Sequence, residues 1–451
     1  MRILTALLAV AALAVASRAY ADAAPSSGVD ATPRRAPLDY GRPAPPPNHA
    51  RAAALWVPRL LLSPLYLTTE YLLRAPLSVS LTAAERADLP RKAIDFFLFG
   101  PDRKAGILPV AYIDVGFSPS AGLYGFWHDA FAEGNDLSLH TEAWPSDWYA
   151  LSVEESLRLD ASKTLQFHFA GVHRPDRVFY GIGPETLQSS QSRYTEALTD
   201  EDVTLDWKYF RGSHLAMTAG VKSESLGPGY HGNDPSVERE AMAGAFPLPY
   251  GLGGRYTAQT NRIEATFDSR RPAPAPGTGV RLDARVEQGS NMLGSPASGW
   301  LRYGGGAAGF LDLDGHGHVL SLAASAMFAD PLGSEPIPFT ELVSLGGDSP
   351  MRGYLPRRLI GRSAVVASAS YAWPIAPGVG GTLEAALGNV FDEHLEGFQP
   401  DLLRFAGDVG ITTVGLTESP IALTVGVGSE TFAQGGQLDS VRVALSFNRG
   451  F

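Results

Sequence analysis

The chain has 451 residues, with 36 lysines and arginines against 47 aspartates and glutamates, and it contains no cysteine. The missing cysteines exclude disulfides and thiolate metal sites, and the net charge of −11 argues against a nucleic-acid-binding surface. With 18% charged residues, 10% aromatic residues and 49 glycines, the composition is typical of many aromatic-rich strands rather than of a disordered chain.

The N-terminus carries the features of a secretory signal. Arg2 provides the positive start, residues 3–16 are apolar, and the Ala-Tyr-Ala tripeptide at 19–21 is a small-x-small cleavage site. A membrane anchor is the alternative, but the apolar run is short for a bilayer. We therefore expect residues 1–21 to be a signal peptide. Since no later stretch has the length and apolarity of a spanning helix, the chain is periplasmic, secreted or an outer-membrane β-barrel.

Two short regions follow the signal. Residues 22–50 are rich in proline and alanine, which predicts a stiff, extended linker. Residues 51–104 are predicted to form short helices, the first of which is kinked or split by Pro58 and Pro64. Three phenylalanines lie in residues 95–99. Two interpretations of this region stay open, namely helices that pack at the periplasmic interface and helices that plug a barrel.

From about residue 105 the hydrophobic pattern changes to a period of two. Val280, Leu282 and Val286, for example, alternate with Arg281 and Asp283, so one face is apolar and the other is charged. Sixteen such strands can be placed. They are predicted to start near residues 107, 120, 135, 147, 163, 195, 212, 254, 277, 298, 317, 362, 377, 401, 418 and 438.

The connections between these strands alternate in length. They are short after even-numbered strands, as at 160–162 and 211–212, and several are long after odd-numbered ones, as at 227–253 and 330–361. Outer-membrane barrels have this asymmetry of tight periplasmic turns and long surface loops. A soluble sandwich is the alternative, but its strands are usually shorter, at roughly 5–6 residues. We predict an all-β transmembrane barrel of about 16 antiparallel strands over residues 105–451, preceded by a short helical segment, in the bacterial outer membrane.

The last strand carries a further signal. Val441, Val443, Leu445, Phe447 and Phe451 share one parity of the alternation. An aromatic residue that closes such a strand resembles the C-terminal signal by which outer-membrane proteins are recognised for insertion. The resemblance implies that Phe447 and Phe451 belong to an insertion signal and that barrel-assembly machinery is a partner for the insertion of this chain.

One loop carries a motif. The long loop at 330–361 contains Gly-Gly-Asp-Ser-Pro-Met-Arg-Gly-Tyr at residues 346–354. Two other segments accompany it, Phe-Tyr-Gly-Ile-Gly-Pro at 179–184 and Leu-Gly-Asn-Val at 387–390. Together these segments resemble the BamA/TamA surface-antigen superfamily of outer-membrane barrels, and the similarity extends over residues 105–451.

The resemblance implies a position and a set of contacts for this loop. In the family the loop folds back into the lumen, where its arginine, Arg352 here, pairs with an acid on the inner wall. Such a partner is needed because an unpaired guanidinium in a confined lumen is unfavourable. We expect Glu384 to be this partner and Asp408 to be the next candidate. Gly353 is expected to allow a tight turn at the loop tip, and Tyr354 is expected to pack on the wall with one polar contact.

The resemblance also implies a function. It suggests assembly, insertion or translocation of protein or lipid, in contact with outer-membrane lipid and a protein or lipid client, without a catalytic residue, cofactor or metal. Residues 22–104 lack the pattern of the periplasmic repeats that catch clients in this superfamily, so we expect only the barrel half of that function. A passive porin-like channel with an in-folded selectivity loop is the rival hypothesis, and an outer-membrane hydrolase is a third.

The inward-facing charges leave the state of the lumen open. They either line an ion path or form ion pairs around an in-folded loop. These residues are Asp206, Lys208, Lys222, Arg262, Glu264, Arg281, Asp283, Arg285 and Glu287.

Overall fold

The alternating segments form sixteen antiparallel strands, each paired with its neighbours in sequence, and the first pairs with the last to close a barrel. The structure is a computed structural model that describes residues 96–100, 102–143, 148–210, 212–270, 277–293, 298–347, 350–376, 378–413 and 421–447. The strands are β1 Ala105–Asp114, β2 Ser120–Trp127, β3 Asn135–Ala143, β4 Tyr149–Arg158, β5 Lys163–Phe179, β6 Ser192–Phe210, β7 Ser213–Pro228, β8 Arg255–Asp268, β9 Gly279–Asn291, β10 Gly299–Asp312, β11 Val319–Pro331, β12 Ser363–Ala376, β13 Val379–Phe391, β14 Arg404–Thr413, β15 Ile421–Thr431 and β16 Leu438–Phe447.

The predicted barrel is confirmed, and every strand begins within three residues of its expected position. The predicted signal (1–21) and linker (22–50) lie outside the described residues, as do most of the predicted helices and Phe451. None of the helices in the described ranges has the length and apolar character needed to cross a bilayer. Leu98–Phe99 differs from the expected helix, because these two residues form a short strand that pairs with β1.

The alternation separates two surfaces of the barrel wall. On β9, Val280, Leu282 and Val286 point outward and are each about half exposed. The opposite face carries Arg281 and Asp283, which form an ion pair at 2.9 Å. A closed antiparallel barrel satisfies its backbone hydrogen bonds between strands, so this outward apolar surface fits a lipid environment.

The strands differ in length around the barrel. β5, β6 and β7 contain 17, 19 and 16 residues, whereas β1 and β2 contain 10 and 8. The predicted asymmetry of the connections is also present. Only Gly212 and the residue before it separate β6 from β7, whereas residues 332–362 connect β11 to β12. We call residues 332–362 the in-folded loop.

Candidate functional site

The in-folded loop lies inside the barrel, where it forms a hairpin of its own. Val343–Leu345 pairs with Leu359–Gly361 as a two-stranded ribbon. Gly346 and Gly347 follow the first of these strands with φ angles of +104° and +86°, a conformation that glycine adopts without strain. Ile360 is fully buried. The loop is therefore a packed part of the core rather than a solvated surface loop.

The base of the loop is anchored to the wall by Glu341, which is buried. Its carboxylate lies 2.6 Å from Lys222 Nζ on β7 and 3.3 Å from an Arg302 nitrogen on β10. The hydroxyl of Tyr256 on β8 donates to the same carboxylate at 2.5 Å. Burial alone would raise the pKa of Glu341, but Lys222 and Arg302 outweigh it and lower the pKa to about 2. Lys222 therefore supports the second interpretation of the inward charges, in which they form ion pairs around the in-folded loop.

The loop tip, residues 350–355, is held against β15 by close backbone contact. A Cβ atom at Gly353 would lie 1.9 Å from the carbonyl oxygen of Val427, and one at Gly426 would lie 2.9 Å from Gly353 Cα. The expected tight turn is present, since the Tyr354 N–H donates to the carbonyl oxygen of Met351 at 3.1 Å and Gly353 lies between them, but the left-handed residue of the tip is Met351, with φ of +79°, and not Gly353. The glycine is needed for close approach to β15.

Tyr354 fixes the tip through both its ring and its hydroxyl. The ring covers Gly428, where a Cβ would lie 2.4 Å from the ring. The hydroxyl lies 2.5 Å from the carbonyl oxygen of Ser429 and 3.0 Å from that of Phe405. Because Gly426 and Gly428 share one face of β15, they leave a strip of bare backbone on which the tip rests.

Arg352 makes a weaker contact than Gly353 and Tyr354. Its guanidinium lies 3.8 Å from a carboxylate oxygen of Asp408, and its side chain is 35% exposed. Glu384, the partner expected first, lies directly opposite Asp408 on β13. Within the described ranges the ion pair of Arg352 is with Asp408 and not with Glu384. Gly426 explains this choice, since a Cβ there would lie close to both Gly353 and Asp408, which places the tip over β14 and β15.

A second arginine, which the sequence analysis did not single out, ties the loop to the closure of the barrel. Arg442 on β16 donates from Nε and Nη2 to Asp114 on β1 at 2.9–3.1 Å. Its Nη1 donates to the carbonyl oxygen of Gly347 at 2.7 Å. The Tyr112 hydroxyl donates to Asp114 at 2.9 Å, and both charged side chains are buried. The inward parity of Arg442 was visible in the sequence, but its partner across the closure was not.

The other two motif segments, residues 179–184 and 387–390, meet at the outer end of the lumen. Gly183 donates its backbone N–H to the carbonyl oxygen of Ile360 in the in-folded loop at 2.8 Å. The carbonyl oxygen of Pro184 accepts a hydrogen bond from the buried Asn389 side chain on β13 at 3.0 Å. Residues 179–184 therefore cross from the outer end of β5 to the loop and to β13.

The closure between β1 and β16 is here called the seam. Among the described residues it consists of three pairs, Tyr112 with Ser446, Ile113 with Leu445 and Asp114 with Ala444. The predicted insertion signal lies at this strand. The backbone of Phe447 ends β16, and Phe451 lies outside the described residues.

The family model that matches the chain is the Omp85 superfamily domain, over residues 207–412. This match includes β7 to β13 and the in-folded loop, and it confirms the resemblance inferred from residues 346–354. No curated protein sequence matches the chain.

Solved structures provide a further comparison. BamA from Haemophilus ducreyi lacking POTRA domains 1–3 is 13% identical, with a TM-score of 0.52, and the match covers 76% of this chain and 70% of that one. CdiB from Acinetobacter baumannii is 10% identical with a TM-score of 0.48, and the match covers 76% of this chain and 59% of that one. CdiB from Escherichia coli is 14% identical with a TM-score of 0.46 and coverages of 76% and 63%. The chain thus spans less than two thirds of either CdiB chain, and the BamA likeness supports the barrel fold.

Proposed function

Because this chain is a bacterial outer-membrane barrel of the Omp85 superfamily, we propose that it inserts proteins into the outer membrane or moves them across it, and that the seam is its working site. The observation that carries the proposal is the closure of the barrel by β1 and β16, which the buried Arg442–Asp114 ion pair joins to the in-folded loop. The proposed role involves strand pairing and passage, and no covalent step.

A strand edge inside a membrane favours the addition of another strand. Unpaired N–H and C=O groups have no water to bind in the hydrocarbon region, so an exposed edge there is unfavourable until it pairs. Extended segments add to such edges through main-chain hydrogen bonds. An opened seam would offer this kind of edge on β1 to a client strand.

The direction of the backbone groups identifies this edge. Val115 donates its N–H to the carbonyl oxygen of Val443 across the seam at 3.0 Å. Since backbone groups of alternate residues point the same way in a strand, Ile107, Pro109 and Ala111 also face the seam. Pro109 has no N–H, so the edge lacks one donor. Any strand that pairs along this edge therefore makes one main-chain hydrogen bond fewer, which favours a seam that opens.

The clasp formed by Arg442, Asp114 and Gly347 supports a coupling between loop and seam. Arg442 bonds β1 and the in-folded loop at the same time. Movement of the loop away from Gly347 would leave Arg442 with one partner fewer, and opening of the seam would separate two buried charges. We therefore expect the loop to hold the seam closed at rest.

The test uses cross-links across the seam, which are unambiguous because the chain has no cysteine. The variant Ile113→Cys/Leu445→Cys joins two directly paired residues of β1 and β16. The matched control Val425→Cys/Val443→Cys joins β15 to β16. Both proteins are reconstituted in vesicles and offered a urea-denatured outer-membrane barrel, whose insertion is measured by protease protection.

We expect the seam cross-link to abolish insertion, reductant to restore it, and the control cross-link to leave it unchanged. Full insertion with the seam cross-linked would contradict the proposal. The rival channel function is supported by the partly exposed Arg281 and Asp283 on the inner wall. A large, steady conductance that neither cross-link alters would favour that rival.

A further inference from the structure

The short strand Leu98–Phe99 lies on the seam side of β1. It pairs in antiparallel fashion with β1, Leu98 opposite Gly106 and Phe99 opposite Ala105. The other edge of β1 is taken by β2, where Gly106 pairs with Phe126. Leu98–Phe99 therefore occupies the edge that β16 occupies further along the same strand. We call these two residues the strand cap.

The cap and the seam share one edge of β1. Among the described residues, β16 pairs with residues 112–114 and the cap pairs with residues 105 and 106. A strand that pairs with the start of β1 on this side therefore has to take the place of the cap.

The Leu98 side chain holds the cap in place by packing over a glycine of β1. The Leu98 side chain lies over Gly106, where an added Cβ would be 2.8 Å from Leu98 Cδ2 and 2.6 Å from the Phe126 ring. Glycine at 106 therefore leaves the space that Leu98 fills. Phe99, on the other face, is 45% exposed.

The connection between cap and β1 is short and anchored. Gly100 has a φ of +85°, and the Arg103 N–H donates to its carbonyl oxygen at 3.3 Å. Lys104 binds Asp129 at 2.7 Å, next to the turn after β2. A segment tethered this closely has a high effective concentration at the edge, so it competes well with a strand from another molecule.

We propose that Leu98–Phe99 is a built-in competitor for the edge of β1, which keeps an incoming strand from residues 105 and 106 until the cap leaves. Its role as competitor rests on the proposed function, but its contact with β1 does not. Because the cap pairs through only two residues, a longer strand that pairs along all of β1 displaces it.

The first experiment measures the contact itself by hydrogen–deuterium exchange of the full chain in lipid nanodiscs. Leu98→Pro/Phe99→Pro removes the ladder donor of Phe99, which lies opposite Ala105, and fixes φ at both cap residues, and we expect exchange in the peptide covering residues 105–108 to become roughly tenfold faster. Exchange in β3 is expected to stay unchanged, which also reports that the barrel has folded.

A second variant leaves the cap residues intact. Gly106→Val fills the space that the Leu98 side chain occupies, and we expect it to speed hydrogen–deuterium exchange in the same peptide. Gly125→Val is the matched control on β2, because a Cβ there meets nothing nearer than 3.8 Å. Unchanged exchange in both the proline variant and Gly106→Val would overturn the proposal, whatever the activity of these proteins.

The second experiment measures competition at the edge. A photo-reactive residue replaces Ala105 or Ala111, and capture of an inserting barrel protein is compared between the uncapped proline variant and a Leu98→Cys/Gly106→Cys cross-linked cap. We expect the cross-link to reduce capture at 105 at least about fivefold relative to the uncapped protein and to leave capture at 111 unchanged. Equal capture at 105 would overturn the role as competitor. Faster exchange without capture at either position would preserve the cap contact and reject the proposed function.

Discussion

The wall formed by β6 and β7, here called the far wall, and the seam are built from the same alternating pattern but are held in different ways. β6 and β7 pair along their length, from Tyr194 with Pro228 to Phe210 with Ser213. The seam has three described pairs and depends on the buried ion pair between Arg442 and Asp114. A long backbone ladder resists any single side-chain change, whereas the seam is open to control by side chains.

The in-folded loop connects these two regions. Its base binds Lys222 of the far wall through Glu341, and its tip rests on β15 through Gly353. Arg442 then joins Gly347 of the loop to the seam. The far wall therefore holds the base of the loop in place, and movement of the rest of the loop affects the seam.

The largest expected effect comes from removing the charge that holds the seam. Arg442→Met leaves Asp114 buried without its partner, which should lower the free energy of unfolding by about 3–5 kcal/mol. Urea unfolding in detergent, followed by heat-modifiable gel migration, measures this change. We also expect faster cross-linking of photo-reactive probes on β1 to added protein, since the seam opens more often.

The control for this change removes both charges together. Arg442→Met/Asp114→Leu should recover most of the lost stability, because neither charge is then left buried alone. If Arg442→Met alone leaves unfolding unchanged, the seam is not held by this ion pair. If the double variant is as unstable as the single one, the bond to Gly347 contributes more than the bond to Asp114.

The next effect concerns the contact between loop tip and β15. Gly353→Ala places a Cβ against the backbone of Val427, which cannot yield as a side chain does. We expect a loss of about 1–3 kcal/mol in stability and faster protease cleavage within the loop. Gly309→Ala on β10 is the control, because its Cβ would meet nothing within 4 Å. Equal protease resistance in both variants would contradict the close-approach role of Gly353.

The barrel was predictable from the sequence because each strand carries its own signal. Alternation on β9, from Val280 to Val286, specifies which face meets lipid, and short turns specify which strands are neighbours. Leu98–Phe99 was placed wrongly in a helix, because two residues are too few for any period to be seen. Their strand exists only through pairing with β1.

The site was predictable only in part, because its contacts join residues far apart in the chain. The motif at 346–354 indicated a loop inside the lumen, and Asp408 was a candidate partner of Arg352. The sequence does not encode which wall residue the tip approaches most closely. That depends on Gly426, which has no side chain and therefore lets the tip approach the backbone of β15. Arg442 was missed for the same reason, since Asp114 lies 328 residues away.

A smaller, pH-dependent effect tests the base of the loop. Lys222 and Arg302 lower the pKa of Glu341 from 4.5 to about 2, so the folded protein holds this carboxylate ionised more strongly than the unfolded chain does. The resulting stability is present above pH 4.5 and is lost as the pH falls towards 2. We expect about 2 kcal/mol of acid destabilisation from this group by about pH 3, measured by urea unfolding across the window. Glu341→Gln should flatten the dependence of unfolding free energy on pH in this window. An unchanged slope in this variant would show that another group causes the acid destabilisation.

The smallest effect is expected at Arg352, although its motif first drew attention to the loop. Its guanidinium lies 3.8 Å from Asp408 and is partly exposed, so the ion pair is long and screened by water. Arg352→Ala should change the free energy of unfolding by less than about 1 kcal/mol and leave the loop resistant to protease. Tyr354→Ala is the informative comparison, because it removes the ring over Gly428 and the hydroxyl at Ser429 together. Planar-bilayer recordings distinguish the two contacts. An open conductance in Arg352→Ala together with a closed one in Tyr354→Ala would show that the arginine, and not the close backbone contact, retains the loop. The seam would then be controlled by charge at the tip.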